Sequence, residues 1–332
     1  MNHDKPVISI VVATLNEEKH IGGLLESFAS QSYPKDSFEI LLYDGLSDDN
    51  TVSIASQYED KINIRIFENT KRRQVYAFNM GLKDSIGEYY MILGAHSSIG
   101  STFIEDHYAS YKDISSKHDN VAGVGGIHLQ KKENTLMSRM GYLFFSNPLS
   151  GASYSRFNKS SGFRDTISFG FYRKDVLLEV GGFDERLITG QDYEINARIR
   201  RKGYLLYQDS RLVSEYSIRP NIMMFLKQIY RYSMARGVFY RMGYYNVLWL
   251  VPVMLLLYEI MALASYFVYG TVILFYPMLL YLGILLAGGL YSVVMRRDIL
   301  GLLLPILLFI THHISAVGFI KGLVFGSDSL GK

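Results

Sequence analysis

Apolar and polar positions follow two rhythms along this chain. Up to about Tyr216, short β-rich runs alternate with amphipathic stretches; from Asn246 onward apolar residues are almost continuous. In the first part, Val7–Ala13 predicts a strand, and Thr14-Leu15-Asn16-Glu17-Glu18 opens a helix reaching about Ser30, with Asn16 as its cap. Glu39–Tyr43 predicts a second strand, followed by a helix capped within 47–50 and reaching about Tyr58. Ile62–Phe67 alternates as a third strand, Arg73–Ser85 is a helix, and Tyr89–Leu93 and Val121–His128 are further strands. Gln191–Arg201 is a helix, Tyr204–Gln208 a short strand, and Pro220–Gly237 an amphipathic helix. Residues 129–170 are rich in Gly, Ser, Asn and aromatics and read as irregular. Strands alternating with helices predict an α/β fold with a mainly parallel sheet. Such sheets bind ligands beyond the carboxyl ends of their strands. Thr14–Glu17, Asp44–Asp49 and Gly94–His96 each follow a strand directly, so one rim should collect all three.

The second part holds three runs long enough to cross a bilayer, which takes roughly 20 apolar residues. They are about Val247–Val268, Thr271–Val294 and Ile299–Ile320. A buried helical hairpin in a soluble core is the competing reading, disfavoured by length and by the scarcity of charge. The expected division is 1–219 a cytoplasmic domain, 220–245 an interfacial helix, and 246–332 a transmembrane region. Arginines precede the first span and Arg296-Arg297 separate the second from the third, so both basic sites can be cytoplasmic. The tail would then lie outside, unless the third segment is re-entrant.

Charge and composition refine this picture. The net charge is +3, too small to argue for nucleic acid. The basic excess is local: Arg219, Lys227, Arg231, Arg236 and Arg241 fall in a stretch without acids. There is no cysteine, which excludes disulfides and thiolate metal sites. The first residues lack the apolar core of a signal peptide, so the first domain is expected to stay cytoplasmic at a multi-pass cell membrane. No Gly-x-Gly-x-x-Gly follows the first strand, which counts against a dinucleotide enzyme.

Five motifs then bear on chemistry: Ile8-Ser9-Ile10-Val11-Val12-Ala13-Thr14-Leu15-Asn16-Glu17-Glu18, Asp44-Gly45-Leu46-Ser47-Asp48-Asp49-Asn50-Thr51, Phe183-Asp184-Glu185, Gln191-Asp192-Tyr193-Glu194 and Gln228-Ile229-Tyr230-Arg231-Tyr232. In this order they resemble family 2 inverting glycosyltransferases of the GT-A fold, over roughly residues 6–245. With Gly94-Ala95-His96 and the apolar runs, the chain is similar to the membrane-bound subgroup that includes the succinoglycan-synthesis glucosyltransferase. The resemblance implies a nucleotide-sugar donor, UDP by family habit, and a lipid-linked saccharide acceptor in surface polysaccharide synthesis.

The resemblance also implies roles. Asp44 would accept a hydrogen bond from the nucleotide base, with Thr14 and Glu17 as further nucleoside contacts and Asn79 near the pocket. For Asp48 and Asp49, turn and cap duty compete with function. Lys71, Arg72 and Arg73 precede a helix and suit a diphosphate. Asp192 would be the base that deprotonates the acceptor hydroxyl, with Glu194 second. Gln191, Gln228 and Tyr232 would line the acceptor side, and Arg231 would neutralise leaving-group charge. Gly94 stands where the family places an Asp, leaving His96 as the remaining ligand for Mn²⁺ or Mg²⁺; otherwise the three cations supply the positive charge. That departure also supports a rival reading, a non-catalytic membrane subunit that kept the fold. Glu259, His312 and His313 are costly in hydrocarbon and are functional candidates, or merely face the bundle. Gly318, Gly322 and Gly326 recur every four residues and offer a face for dimerisation.

Overall fold

The computed structural model describes residues 8–130, 135–151, 160–216 and 220–326. Val7, Arg219, the tail beyond 326, and 131–134 and 152–159 of the stretch read as irregular lie outside the described residues. The described chain forms two compact units, residues 8–129 with 160–215, and residues 130–151 with 216–326.

In chain order the elements are β1 (Ile8–Thr14), α1 (Ile21–Ala29), β2 (Phe38–Asp44), α2 (Thr51–Ser56), β3 (Ile64–Glu68), α3 (Gln74–Asp84), β4 (Tyr89–Gly94), α4 (Phe103–Ser115) and β5 (Val121–Gln130). Then come α5 (Leu136–Ser146), β6 (Gly162–Phe163), β7 (Ser168–Arg173), α6 (Lys174–Glu179), α7 (Gln191–Arg201), β8 (Leu205–Tyr216), α8 (Ile222–Arg241), α9 (Val251–Tyr269), α10 (Tyr276–Arg296) and α11 (Leu304–Phe325).

In the first unit a mixed sheet runs β3-β2-β1-β4-β7-β5-β8-β6. Its β3-β2-β1-β4 part is parallel, whereas β7 pairs antiparallel with both β4 and β5. β1 and β2 are apolar on both faces because helices cover both. Ile8, Ile10, Val12, Phe38, Ile40 and Leu42 face a core with α1 and α4. Val11, Leu41 and Tyr43 face a second core with α3, α6 and α7. The two-residue period sorts the side chains.

Three expectations change. Asn16 does not cap α1: it takes a left-handed conformation (φ 57°), and the helix starts at Ile21 after His20. The stretch 129–170 is not wholly irregular, since α5 is a regular helix capped by Thr135, whose hydroxyl accepts from the Ser138 amide. The strand expected at 204–208 extends as β8 to Tyr216.

In the second unit, the segments Val251–Tyr269, Ile273–Arg296 and Ile299–Phe325 have mean hydropathies of 1.9, 2.0 and 2.0, long and apolar enough to cross a membrane. Gly270, at φ 66°, ends α9 and turns the chain toward α10. α8 packs lengthwise on α11 through small residues. A Cβ on Gly322 would stand 1.9 Å from the Met234 carbonyl oxygen, and one on Gly237 2.1 Å from that of Phe319. The stripe expected to serve a dimer is therefore occupied inside one chain, with Gly318 against Tyr230.

Three polar side chains among these helices, Glu259, His312 and His313, have partners. His312 Nε2 donates to the Leu149 carbonyl at 2.9 Å, so its Nδ1 accepts from the Tyr281 hydroxyl, also at 2.9 Å. His313 Nδ1 meets the Phe309 carbonyl at 2.8 Å and must carry hydrogen there. Its Nε2 lies 2.6 Å from Glu259 Oε2, a spacing that requires a proton between the two atoms. These three residues thus face the bundle.

Candidate active site

Parallel register brings the sequence-distant motifs together. Thr14 stands opposite Asp44, Ala13 opposite Gly94, and Asp44 opposite Glu68, so β1, β2, β3 and β4 end on one rim. Asp44 is buried there. Its Oδ1 accepts from the Thr14 hydroxyl (3.0 Å) and the Ser47 hydroxyl (2.6 Å), and its Oδ2 from the Ser47 amide (2.8 Å). A carboxylate has about four acceptor positions. Three are filled, which fixes the group and leaves Oδ2 able to take one more donor.

The neighbouring loops are braced to each other. The Asn16 backbone amide donates to Ser47 Oγ, and Asn16 Oδ1 accepts from the Asp48 amide. Thr51 Oγ1 accepts from the Glu17 amide at 2.8 Å. Asp49 accepts from the Glu18 and Thr51 amides, so it acts as scaffold. Desolvation opposes its ionisation, but the Thr51 hydroxyl and these amides together hold its carboxyl below the usual range.

Glu17 Oε1 lies 3.8 Å from His96 Nδ1. The His96 ring folds over Gly94: a Cβ added at Gly94 would meet His96 Cε1 at 3.6 Å and Nε2 at 3.7 Å. The imidazole thus sits beside the space that an Asp side chain at 94 would enter. No group of three or more metal-ligating side chains occurs among the described residues. Glu17 and His96 are one oxygen and one nitrogen donor, a pair that fits a divalent ion whose other ligands are phosphate oxygens and water.

The three cations divide. Lys71 and Arg72 are exposed, with Arg72 at φ 57°. Arg73 turns away, donating from its Nη2 to the Leu187 carbonyl at 3.2 Å. That contact belongs to a hydrogen-bonded path from Asp44 toward α7. The Asn69 amide donates to the Asp44 carbonyl at 2.6 Å, and Asn69 Nδ2 to the Arg73 carbonyl at 3.0 Å. Gln74 Nε2 then reaches Gln191 Oε1 at 3.3 Å.

Asp192 is exposed on the first turn of α7, and its Oδ1 accepts from the Tyr193 amide. Burial, and next the charge of Asp192, push the Tyr172 phenol well above its ordinary range. The Tyr172 hydroxyl donates to Asn196 Oδ1 at 2.8 Å. Sequence reasoning missed Tyr172 and Asn196; the four-residue step from Asp192 to Asn196 was the available signal.

Three predicted residues have other tasks. Glu194 is buried and gripped by Arg198, with Nε–Oε1 at 2.7 Å and Nη2–Oε2 at 2.6 Å, so both its oxygens are engaged in an ion pair. Asn79 does not face the rim: Nδ2 donates to the Phe183 carbonyl and Glu185, and Oδ1 accepts from the Phe183 amide. Gln191 is buried between α3 and α7, where its Nε2 donates to the Leu187 carbonyl. In the second unit, Gln228 Nε2 donates to the Tyr232 hydroxyl at 2.8 Å, and Arg231, three residues after Gln228 and next to Tyr232, is exposed.

A parallel half-sheet with this rim defines a GT-A glycosyltransferase. The model of glycosyl transferase family 2 matches residues 9–181, and that of glycosyl transferase family group 2 matches residues 102–313. The chain belongs to glycosyl transferase family 2. It is 36% identical, over 97% of its length and 98% of the relative's, to the dolichyl N-acetyl-alpha-D-glucosaminyl phosphate 3-beta-D-2,3-diacetamido-2,3-dideoxy-beta-D-glucuronosyltransferase of Methanococcus voltae. The succinoglycan biosynthesis protein ExoA of Rhizobium meliloti is more distant, 23% identical over 69% of this chain and 68% of that protein. Among solved structures, the mannosyltransferase PcManGT of Pyrobaculum calidifontis, in complex with GDP-Man and Mn²⁺, shares the fold with a TM-score of 0.64. That match covers 95% of this chain and 87% of PcManGT at 17% identity.

Proposed function

We propose that this glycosyltransferase moves a sugar from a nucleoside diphosphate, UDP being favoured, to a saccharide linked to a polyprenyl or dolichyl phosphate. The near full-length likeness to an enzyme named for a dolichyl phosphate-linked acceptor supports the acceptor class. The single observation that carries the chemistry is the division of labour on α7, where Glu194 is locked in an ion pair and Asp192 is left exposed beside the rim.

Transfer is inverting in this reading. Asp192 takes the proton of the acceptor hydroxyl as that oxygen attacks the anomeric carbon from the side opposite the diphosphate. Asp44 receives the base at Oδ2, with Thr14 and Ser47 holding its carboxylate still. Lys71 and Arg72 answer the charge of the departing nucleoside diphosphate; for Arg231 the family resemblance proposes the same task. Gln228 and Tyr232 line the acceptor side. A divalent ion, held by His96 and Glu17, would neutralise part of the diphosphate charge.

The proposed topology is multi-pass, with the catalytic domain cytoplasmic. α5 supports it: Arg139 forms a two-pronged ion pair with Asp298, and Arg296 contacts Tyr142. The turn between the second and third apolar helices is thereby bound to a segment that interrupts the catalytic unit in sequence. The proposed division remains 1–219 catalytic, 220–245 at the interface and 246–332 in the membrane.

The test is transfer by the detergent-purified protein from a panel of nucleotide sugars to dolichyl phosphate-linked N-acetylglucosamine. Product with inverted anomeric configuration is expected, with turnover lost in Asp192→Asn while donor binding persists. Donor binding without transfer to any lipid-linked saccharide would instead indicate the non-catalytic subunit.

A further inference from the structure

We propose that a small polar cavity inside the second unit seats a lipid phosphate, that of the acceptor in the reading above, on which this inference rests. The cavity holds about 30 Å³, room for about two water-sized groups. That suits two non-bridging phosphate oxygens and is too small for a sugar ring. It lies among α5, α8 and α11. Its lining includes Arg236, Tyr232, Ser233, Thr311, His312 and Ser315 and, among the described residues, no carboxylate. So many polar side chains around one void are unexpected in a unit this rich in apolar residues.

Two observations select an anion as occupant. Arg236 brings a guanidinium to the cavity, which favours phosphate by charge and by its forked donors. Ser233 is 2% exposed, and its Oγ has no hydrogen-bond partner among the described residues. Helical serines and threonines ordinarily return their proton to a carbonyl one turn back. Thr311, on the same cavity, does so with the Leu308 carbonyl at 3.0 Å. Ser233 instead keeps a donor in the lining. His312 has both ring nitrogens already engaged, by the Tyr281 hydroxyl and the Leu149 carbonyl, so it offers the cavity no further donor.

Tyr232 lines the same cavity, and Gln228 donates to its hydroxyl. Of the residues expected on the acceptor side, Tyr232 thus borders the phosphate seat, with Gln228 bonded behind it. A lipid-linked saccharide held there by its phosphate would present its sugar outward from α8.

The full-length protein in phosphatidylcholine nanodiscs provides the test. Dolichyl phosphate should raise the thermal midpoint, and dolichol, lacking the phosphate, should not. Arg236→Gln should lower affinity for dolichyl phosphate about tenfold or more, by loss of a charge-assisted contact. Ser315→Ala, a mild change on the opposite wall, should reduce the shift in a protein that folds normally, and Ser233→Leu, which fills the space, should remove it. In transfer assays Ser315→Ala should raise the acceptor KM and leave the donor KM alone. Equal stabilisation by dolichol, or unchanged affinity in both Arg236→Gln and Ser315→Ala, overturns the proposal. Equal stabilisation by phosphatidylglycerol keeps the phosphate chemistry and overturns its assignment to the acceptor. Dolichyl phosphate binding by a protein that transfers no sugar would count against the proposed function and leave the seat intact.

Discussion

The two acids at the start of α7 should separate cleanly under mutation. Glu194→Gln removes the charge facing Arg198, whose guanidinium also donates to the Val180 and Gly182 carbonyls. Breaking a fully buried ion pair costs about 3–5 kcal/mol. The Arg198 side chain is 24% exposed, and a Gln can keep one hydrogen bond, so a loss of about 2–3 kcal/mol is expected here. For a unit of this size each kcal/mol lowers Tm by about 2–4 °C, giving a fall of about 4–12 °C. Below that temperature the variant should still turn over. Asp192→Asn should do the reverse: an unchanged melting curve, unchanged nucleotide binding, and a fall in kcat of about 10²–10⁴ for a lost general base. The assays are thermal unfolding with bound nucleotide and single-turnover transfer. Normal stability with abolished transfer in Glu194→Gln, alongside an active Asp192→Asn, would exchange the two roles and refute the reasoning.

Other consequences are equally concrete. Gly322→Ala places a Cβ against the Met234 carbonyl and should cost about 1–3 kcal/mol by overpacking, whereas Gly283→Ala, which meets no neighbouring atom, should be neutral or stabilising in the same melt. Burial pulls the His107 imidazole down to about 4, although its hydrogen bond to the Phe103 carbonyl opposes this. The unfolded chain therefore binds a proton first, near pH 6.5. Stability from this residue is complete above that pH and declines by up to about 3 kcal/mol as pH falls to 4; denaturation curves of His107→Phe should lack that slope. Mn²⁺ titrated in the presence of UDP and followed by electron paramagnetic resonance should bind about tenfold more weakly in His96→Ala and in Glu17→Gln. Affinity unchanged by either substitution would release both residues from the ion.

Much of the site was legible because register does the assembling. Once β1, β2 and β4 are recognised as parallel neighbours, Thr14, Asp44 and Gly94 must share an edge. The choice between Asp192 and Glu194 was not legible in the periodicity. At about 100° per residue Asp192 lies closer to the Ile195–Ile199 stripe than Glu194 does, and it is the ion pair of Glu194 with Arg198 that separates them in the structure. α5 was harder. Its Gly and Ser residues, within a longer Gly-, Ser- and Asn-rich stretch, mask the apolar spacing of Met140, Leu143 and Phe144. The glycine stripe on α11 announced a close approach but not its partner; Gly237 and Ser233 on α8 complete it. Asn79 was beyond reach from sequence, because its role depends on where the 181–185 turn lands.

The hydrogen shared by Glu259 and His313 bears on how the chain is made. If the helices cross as proposed, α9 leaves the ribosome first and carries its carboxyl group into the translocon without a companion. The imidazole that completes it emerges some fifty residues later, on α11. Until then the first helix gains little by entering lipid as an ion, and it should linger at the lateral gate, enter protonated, or wait for its hairpin. Waiting for its hairpin would make biogenesis a concerted insertion of three helices rather than three successive ones.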